Sequence, residues 1–374
     1  MERHNILVHF KGLPDYRDER YLTHSLINII AISICAIICG AKDWYDIEDY
    51  ADSKKSWLST FLDLPNGVPS HDTFKRFFEF IDGEALEKCF QDWVNAIARI
   101  SEGRILSIDG KSIRGSKGRD DKYFVHMVSA WCSSNNLVLG QQKVEEKSNE
   151  ITAIPNLLDL LNVKGCTITI DAMGCQHSII EKIVEKQADC IIAVKGNQKF
   201  LHDDIQDAFA NDKAINTHKQ SNTGHGRIET REAHVITDMD WISNRENWKH
   251  IKSLIKIDSI REDKLTGVKQ ENTRYFISTR IANAQYFNES IRAHWNIENQ
   301  LHWSLDVSFG EDASKKQAGN SAQNFSVLSK IALNYLKKYE VPNYKGAKKI
   351  SIKRKQNIAA WTNDSIIEML FKND

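Results

Sequence analysis

Three acidic residues have neighbours that suit metal-dependent chemistry. Asp109 ends the apolar stretch 104–109 and Asp171 ends the stretch 166–171, and each stretch predicts a short strand with a carboxylate at its end. Glu298 lies in a stretch rich in His and Trp that predicts a helix. These carboxylates predict a site for a pair of Mg²⁺ or Mn²⁺ ions, because hard cations prefer oxygen ligands. Two such ions on a phosphate can activate the attacking oxygen and stabilise the leaving one, which is chemistry that cuts or joins nucleic acid.

Each aspartate alone has a simpler explanation, because an Asp at the end of a strand often caps a turn. The two aspartates together, each behind an apolar strand, favour metal ligation instead. Glu298 has competitors, since Asp306, Glu311 and Asp312 lie just downstream and a surface helix often carries such charges. The helical neighbours of Glu298 decide in its favour.

His294 and His302 lie four residues on either side of Glu298, which places all three on one face of a helix. Imidazole and carboxylate groups at this spacing could also bind Zn²⁺. The stretch lacks a His-Glu-x-x-His pattern, so we predict Glu298 as the third acidic ligand of the Mg²⁺ or Mn²⁺ site. Arg292 and His294 would then contact DNA at the scissile phosphate or at the strand end.

Six further residues are candidates for contact with the DNA backbone: Lys111, Arg114, Lys195, Asn197, Arg227 and Arg231. The first two follow the first aspartate, the next two follow a predicted strand at 189–194, and the last two follow or end a turn at 224–227. Cationic and amide side chains at such places can bind phosphate oxygens. A solvated loop and an ordinary hairpin are the plain alternatives, and they stay open.

Motifs around these residues resemble those of a known family. They are SIDGKSIRGS at 107–116, IDAMGCQ at 170–176, HWNIENQLHWSLD at 294–306, VKGNQ at 194–198, GHGRIETR at 224–231 and PSHDTF at 69–74. In these motifs the chain resembles the DDE transposases of bacterial insertion sequences. The likeness is greatest to the ISAs-type branch, which includes H-repeat proteins associated with Rhs elements, and it runs in order from about residue 10 to about residue 340.

The resemblance implies a DNA-binding enzyme with double-stranded DNA as partner. Such an enzyme binds the terminal inverted repeats of its element, cuts at the ends and joins the freed 3′-hydroxyl to target DNA. Pairing of two DNA ends implies a homodimer in the DNA complex. A larger related group carries Tyr-x-x-Arg-x-x-x-Glu on the catalytic helix, where this chain has Ile291, His294 and Glu298. The arginine role would therefore pass to His294 or Arg292.

Composition points to a globular chain, with 41% hydrophobic and 27% charged residues among 374. The formal net charge is zero, so no overall basic excess supports DNA binding. The stretch 337–355 is nevertheless basic, with eight Lys or Arg and one Glu. The seven cysteines form no Cys-x-x-Cys pair, so neither a zinc site nor a disulfide framework is indicated. We therefore predict a cytoplasmic protein.

The stretch Tyr21–Ala41 contains no Asp, Glu, Lys or Arg and is long enough to span a bilayer. Polar residues such as Asn28 and Ser33 interrupt it, and no second span follows. We predict a buried core helix and no membrane partner.

The element pattern predicts an α/β protein with an RNase H-like catalytic core. Candidate strands lie at 104–109, 122–132, 136–145, 166–171 and 189–194, and candidate helices at 149–161 and 175–187. We predict an all-helical domain at 1–100, a catalytic domain at 101–340 with a β-rich insertion at about 200–280, and a basic tail at 341–374. The insertion is expected to hold a helix at 199–210, a polar loop at 211–224 and strands at 226–237, 251–260 and 272–278. The catalytic helix is placed at 288–308.

The N-terminal helices permit two interpretations. A turn at 64–69 followed by a helix at 71–81 is compatible with a helix-turn-helix that binds DNA. A small bundle that only packs on the catalytic core fits equally well. At the level of the whole protein, the rivals are a catalytically idle DNA-binding protein derived from a transposase, and an RNase H-like nuclease without strand transfer.

Overall fold

The computed structural model describes residues 6–98, 103–118, 123–145, 148–224, 226–342 and 350–371. The sequence-based boundary between the helical and catalytic domains falls at 99–102, which is outside the described residues, so the domain division stays a prediction. One large hydrophobic core contains side chains from the N-terminal helices, the sheet and the C-terminal helices alike.

The described strands form a single nine-stranded mixed sheet with the order β3-β2-β1-β4-β5-β9-β8-β7-β6. Their bounds are β1 Ile105–Ile113, β2 Val125–Cys132, β3 Leu137–Lys143, β4 Thr167–Ile170, β5 Asp189–Val194, β6 Asn216–Gly224, β7 Arg227–Ile236, β8 Ser253–Asp263 and β9 Lys269–Ser278. β1 pairs antiparallel with β2 and parallel with β4, and β4 pairs parallel with β5. The first five strands thus have the arrangement of the RNase H-like fold, which confirms the predicted fold class.

The helices flank this sheet and bury the apolar side chains of its strands. Their bounds are α1 Ile6–His9, α2 Leu26–Ile38, α3 Trp44–Ser53, α4 Lys55–Leu58, α5 His71–Phe80, α6 Gly83–Ile97, α7 Glu150–Leu160, α8 His177–Glu185, α9 Lys199–Asn211, α10 Ala284–His294, α11 Trp303–Val307, α12 Ser321–Lys338, α13 Ile352–Trp361 and α14 Asn363–Phe371. All four residues of β4 are buried, as expected for a strand covered on both faces.

The insertion extends the same sheet, because β9 pairs antiparallel with β5. Its strands β6 to β9 follow one another as antiparallel neighbours. The prediction of a polar loop at 211–224 is wrong from residue 216 onward, since Asn216–Gly224 is strand β6. β6 is the outer strand of the described sheet and its side chains are exposed or half-buried, so backbone pairing with β7 defines it without an apolar pattern.

The N-terminal helices α2, α5 and α6 pack against α12, which lies beyond the predicted catalytic helix in the sequence. This packing is what the bundle interpretation describes, while the DNA-binding interpretation stays a prediction. Helix α2 supplies the apolar stretch, and nearly all of its residues are buried in the protein core. Throughout the described ranges, no helix combines the length and apolar character needed to cross a bilayer.

Two further elements differ from expectation. The predicted basic tail contains two helices, α13 and α14, which pack on α12, while 343–349 lie outside the described residues. Ala359 of α13 and Ile366 and Met369 of α14 are buried, so a few apolar side chains anchor these helices despite the basic composition. The predicted single helix at 288–308 is divided into α10, a π-helical segment at Ile297–His302, and α11.

Candidate active site

β1 and β4 bring the two predicted aspartates together. The parallel register pairs Ile108 with Ile170, so Asp109 and Asp171 come next on adjacent strands. Adjacent strands lie about 5 Å apart, which places the two carboxylates at one level of the sheet. β1 does not end at Asp109, as the sequence suggested, because pairing with β2 carries it on to Ile113.

Asp171 follows the last residue of β4 and caps the short turn that comes next. Its Oδ1 accepts a hydrogen bond from the backbone N–H of Met173 at 3.0 Å. The Nδ2 of Asn197 donates to the carbonyl of Ala172 at 2.7 Å, and this bond braces the same turn. Asn197, expected at the DNA backbone, therefore supports the loop that holds Asp171. Lys195 is exposed, and its charge acts on Asp171.

Glu298 lies exposed in the π-helical segment Ile297–His302. π-Helical turns are rare in proteins as a whole, and those that occur are often found at functional sites. The segment interrupts the expected single helix face, so His294 and His302 contact different strands. His294 Nδ1 lies 3.0 Å from Thr169 Oγ1 on β4, and His302 Nδ1 lies 3.7 Å from Asp109 Oδ2 on β1.

Burial keeps both imidazoles neutral. Loss of hydration lowers the pKa of His294 to about 4 and that of His302 to about 3. His294 points at the sheet as an uncharged group, which argues against its expected contact with a phosphate. Arg292 is exposed and is the better placed of the two candidates for that contact.

Both aspartates of the site have a raised pKa. Burial raises the pKa of Asp109 to about 7, and the charges of Glu150, Asp171 and Glu298 contribute. Burial and then the charge of Glu150 also raise the pKa of Asp171. In this acidic group the charges of Glu150, Asp171 and Glu298 act against ionisation of Asp109, while Glu150 acts against ionisation of Asp171 and Lys195 partly offsets that effect.

Lys111 is tied to three carboxylates and not held out towards solvent. Its Nζ lies 2.8 Å from Asp306 Oδ1, 3.2 Å from Glu311 Oε2 and 2.8 Å from Asp312 Oδ1. These ion pairs argue against the expected phosphate contact of Lys111. Arg114 is exposed, its Nε lies 3.5 Å from Asp312 Oδ2, and its contact with the DNA backbone stays a prediction.

The insertion and the glutamate-bearing segment enclose an arginine-rich cleft of about 800 Å³. Five arginines line it together with Glu229 and Glu298: Arg227, Arg231, Arg261, Arg274 and Arg292. The guanidinium of Arg274 lies 5.2 Å from the ring centre of Trp295, which also lines the cleft. Tertiary structure thus joins three of the predicted DNA contacts beside the predicted catalytic glutamate.

Burial and neighbouring guanidinium groups set the electrostatics of this cleft. Burial lowers the pKa of Arg231 to about 10, and the charge of Arg292 adds to the effect. Glu229 offsets part of the charge, because it lies 3.3 Å from Arg261 and 3.6 Å from Arg292. A surplus of positive charge remains, which suits a phosphate backbone.

A divalent cation fits the acidic group by the chemistry of its donors. The donors are carboxylate oxygens, which Mg²⁺ and Mn²⁺ prefer, and a bound cation would offset their mutual repulsion. Within the described ranges, no group of three or more His, Cys, Asp and Glu side chains lies close enough together to hold a metal ion of any kind as it stands.

Several residues of the site were not anticipated. Glu150 and His126 lie beside Asp109, and Arg261 and Arg274 lie in the cleft. Their local sequences carry no motif, and only strand pairing and helix packing bring them to the site.

Comparison with known proteins gives a consistent picture. Residues 100–335 match the family model described as "Transposase DDE domain", and residues 7–94 match the one described as "DDE_Tnp_1-associated". "Putative transposase YncI" of Escherichia coli O157:H7 is 41% identical over 380 residues, covering 99% of this chain and 95% of its own length.

Two proteins of Escherichia coli strain K12 are similar over the same extent. "H repeat-associated putative transposase YhhI" is 36% identical over 379 residues, with 99% of this chain and 98% of its own length covered. "Putative protein YbfL" is 36% identical over 379 residues with the same coverage.

Proposed function

Because the chain belongs to the DDE transposase family, we propose that it cuts DNA at the ends of its insertion sequence and transfers the freed strand to target DNA. We assign Asp109, Asp171 and Glu298 as the acidic residues that hold two Mg²⁺ or Mn²⁺ ions. The observation that carries this assignment is the placement of Asp109 and Asp171 at one level of adjacent strands, with the charge of Glu298 acting on Asp109.

When bound, the divalent ions would supply activation of the attacking oxygen and stabilisation of the leaving oxygen. The protein's own part is to fix the carboxylates on rigid elements. β1 and β4 hold the aspartates, and the turn braced by Asn197 keeps Asp171 in place. His302, kept neutral by burial, lies with its Nδ1 3.7 Å from Asp109 Oδ2 and so packs beside that carboxylate.

DNA would lie along the arginine-rich cleft beside Glu298. Arg227, Arg231 and Arg292 line it, while Arg114 is exposed directly after β1 and Lys195 is exposed directly after β5. Phosphate contacts of this kind fix the position and register of a duplex. Terminal inverted repeats are the proposed specific substrate, a homodimer is the proposed form in the DNA complex, and the cytoplasm is the proposed compartment.

The first experiment is cleavage of a labelled duplex that carries the inverted repeat flanking this coding sequence. It compares Mg²⁺ with EDTA, and the natural protein with Asp171→Ala and Asp109→Asn. We expect nicking at the element boundary in Mg²⁺ only, reduced in both variants to the level seen in EDTA. DNA binding, measured by gel shift, should persist. Equal cleavage by either variant contradicts the assignment.

A second arm tests strand transfer itself. A pre-cut end with a free 3′-hydroxyl is incubated with a supercoiled target plasmid, and joined products are sequenced. Joined products are expected from a transposase. Cleavage without any joining would instead indicate a nuclease of this fold, and specific binding without cleavage would indicate an idle DNA-binding protein.

A further inference from the structure

Glu150 is the first residue of α7, and its side chain is only 13% exposed. Asn149 caps this helix, with its side chain accepting from the N–H of Ile151 at 3.0 Å. An acidic residue in the first turn is favourable because of the helix dipole. The helix dipole explains why an acidic residue stands at position 150. It does not explain why the Glu150 side chain extends away from α7 towards β1 and β2.

A glycine admits this carboxylate to β1. A Cβ added at Gly110 would lie 2.1 Å from Glu150 Oε1 and 2.5 Å from His126 Nε2. No side chain larger than hydrogen fits there without displacing both groups. Gly110 directly follows Asp109, so the Glu150 carboxylate lies against β1 at the residue next to Asp109.

His126 holds the carboxylate in place from β2. Its Nε2 lies 2.8 Å from Glu150 Oε1, and its Nδ1 lies 2.8 Å from Ser112 Oγ. A histidine that is fixed on one nitrogen and presents the other to a carboxylate restricts that carboxylate to one orientation.

Glu150 acts on both aspartates and can be reached from solvent. Among neighbouring charges, Glu150 raises the pKa of Asp109 more than Asp171 or Glu298 does, although burial is the larger cause. Glu150 is also the first charge acting on Asp171. A cleft of about 590 Å³ opens beside it, lined in part by Ser112, His126 and Met173 of the Asp171 turn.

We infer that Glu150 is a fourth carboxylate of the divalent-cation site, bound to an ion directly or through one of its waters, and that His126 is the positioning residue that presents it. This inference rests on the proposed function, since it adds a ligand to the site of Asp109, Asp171 and Glu298.

Mn²⁺ binding to the full chain without DNA tests the inference apart from catalysis. Calorimetric titration compares the natural protein with Glu150→Gln, His126→Asn and Asp109→Asn. We expect Glu150→Gln to weaken Mn²⁺ binding about tenfold or more, and His126→Asn to weaken it in the same direction but less. The matched control is Glu181→Gln on α8, a 51% exposed side chain that pairs with Lys249 and should leave binding unchanged.

Thermal melting in EDTA shows that the variants are folded. Glu150→Gln should melt no lower than the natural protein, because it removes like-charge repulsion. If Glu150→Gln fails to fold, Gly110→Ala, which displaces the carboxylate, replaces it with the same expectation. Natural Mn²⁺ affinity in Glu150→Gln together with loss in Asp109→Asn overturns the inference and leaves the proposed function standing. Absence of Mn²⁺ binding in the natural protein overturns both.

Discussion

At the scale of single residues, the fold makes Asp109 costly to ionise. Burial and nearby carboxylates raise its pKa to about 7, far above the ordinary value of an aspartate. The same repulsion suits a group that is proposed to bind a cation, because the positive charge of the ion would offset the repulsion between the carboxylates. At this position, the carboxylate charges that favour binding of a divalent cation therefore lower the stability of the metal-free protein.

The raised pKa predicts a pH dependence of stability without metal. The folded protein keeps the Asp109 proton up to about pH 7, whereas the unfolded chain loses it near pH 4. The folded state therefore binds more protons in this interval, so the free energy of unfolding falls as pH rises through it. Asp109→Asn should remove this share of the fall.

Urea unfolding in EDTA at about pH 5 and about pH 8 measures this difference. Asp207→Asn, an exposed position on α9, is the control and should keep the natural pH dependence. An identical pH dependence for Asp109→Asn and the natural protein would refute the raised pKa.

At the scale of elements, Lys111 links β1, which carries Asp109, to the helical segment that follows Glu298. It lies on β1 two residues after Asp109. Its partner Asp306 lies on α11, directly after the π-helical segment of Glu298. Glu311 is 6% exposed in its side chain and also accepts from Ser326 on α12 at 2.8 Å. The ion pairs thus fix Glu298 relative to the sheet.

Lys111→Met should break this link. It removes the cation beside the buried carboxylate of Glu311, so we expect the free energy of unfolding to fall by roughly 3 kcal/mol. DNA cleavage should fall as well, because the segment of Glu298 is no longer tied to β1. Urea unfolding and the cleavage assay measure the two effects.

Lys182→Met provides the comparison for that prediction. Its 2.7 Å ion pair with Asp159 is partly exposed, so its loss should cost less than about 1 kcal/mol. Equal losses of stability in the two variants would show that Lys111 does not anchor the site.

At the scale of the whole molecule, the strands of the insertion belong to the same nine-stranded sheet as β1 and β4. β9 pairs with β5, and α10 packs on β1, β4 and β7, so the arginine-rich cleft is built on the same sheet as the aspartates. A net charge of zero therefore conceals a local basic surface beside an acidic site. Such a surface can bind a polyanion that the overall charge does not attract.

Arg292→Gln tests this surface through the salt dependence of DNA binding. Loss of one phosphate contact should lower the slope of log K against log salt by about one. Lys164→Gln is the control, since Lys164 is exposed before β4, at the end of that strand opposite Asp171. Identical slopes for Arg292→Gln and the natural protein would remove Arg292 from the DNA-binding surface.

Local chemistry explains where prediction from the sequence was wrong. The strand β6 carries few apolar residues, so nothing in its sequence separates it from a loop, and pairing with β7 alone makes it a strand. The helix near Glu298 shows normal helical spacing, but contacts of His294 with β4 and of His302 with β1 accompany a π-helical turn. The ion pairs of Lys111 could not be predicted from the sequence, because its three carboxylate partners lie far along the chain.

The RNase H-like order of elements and the family could be predicted from the sequence alone, because apolar runs and short motifs record local structure. Asp109, Asp171 and Glu298 were likewise predicted as the acidic residues of the proposed site. The surroundings of these residues emerge only from the folded chain: Glu150 and His126 near Asp109, the ion pairs of Lys111, and the arginine-rich cleft. These contacts join distant segments through strand register and helix packing, and no local pattern encodes such long-range geometry.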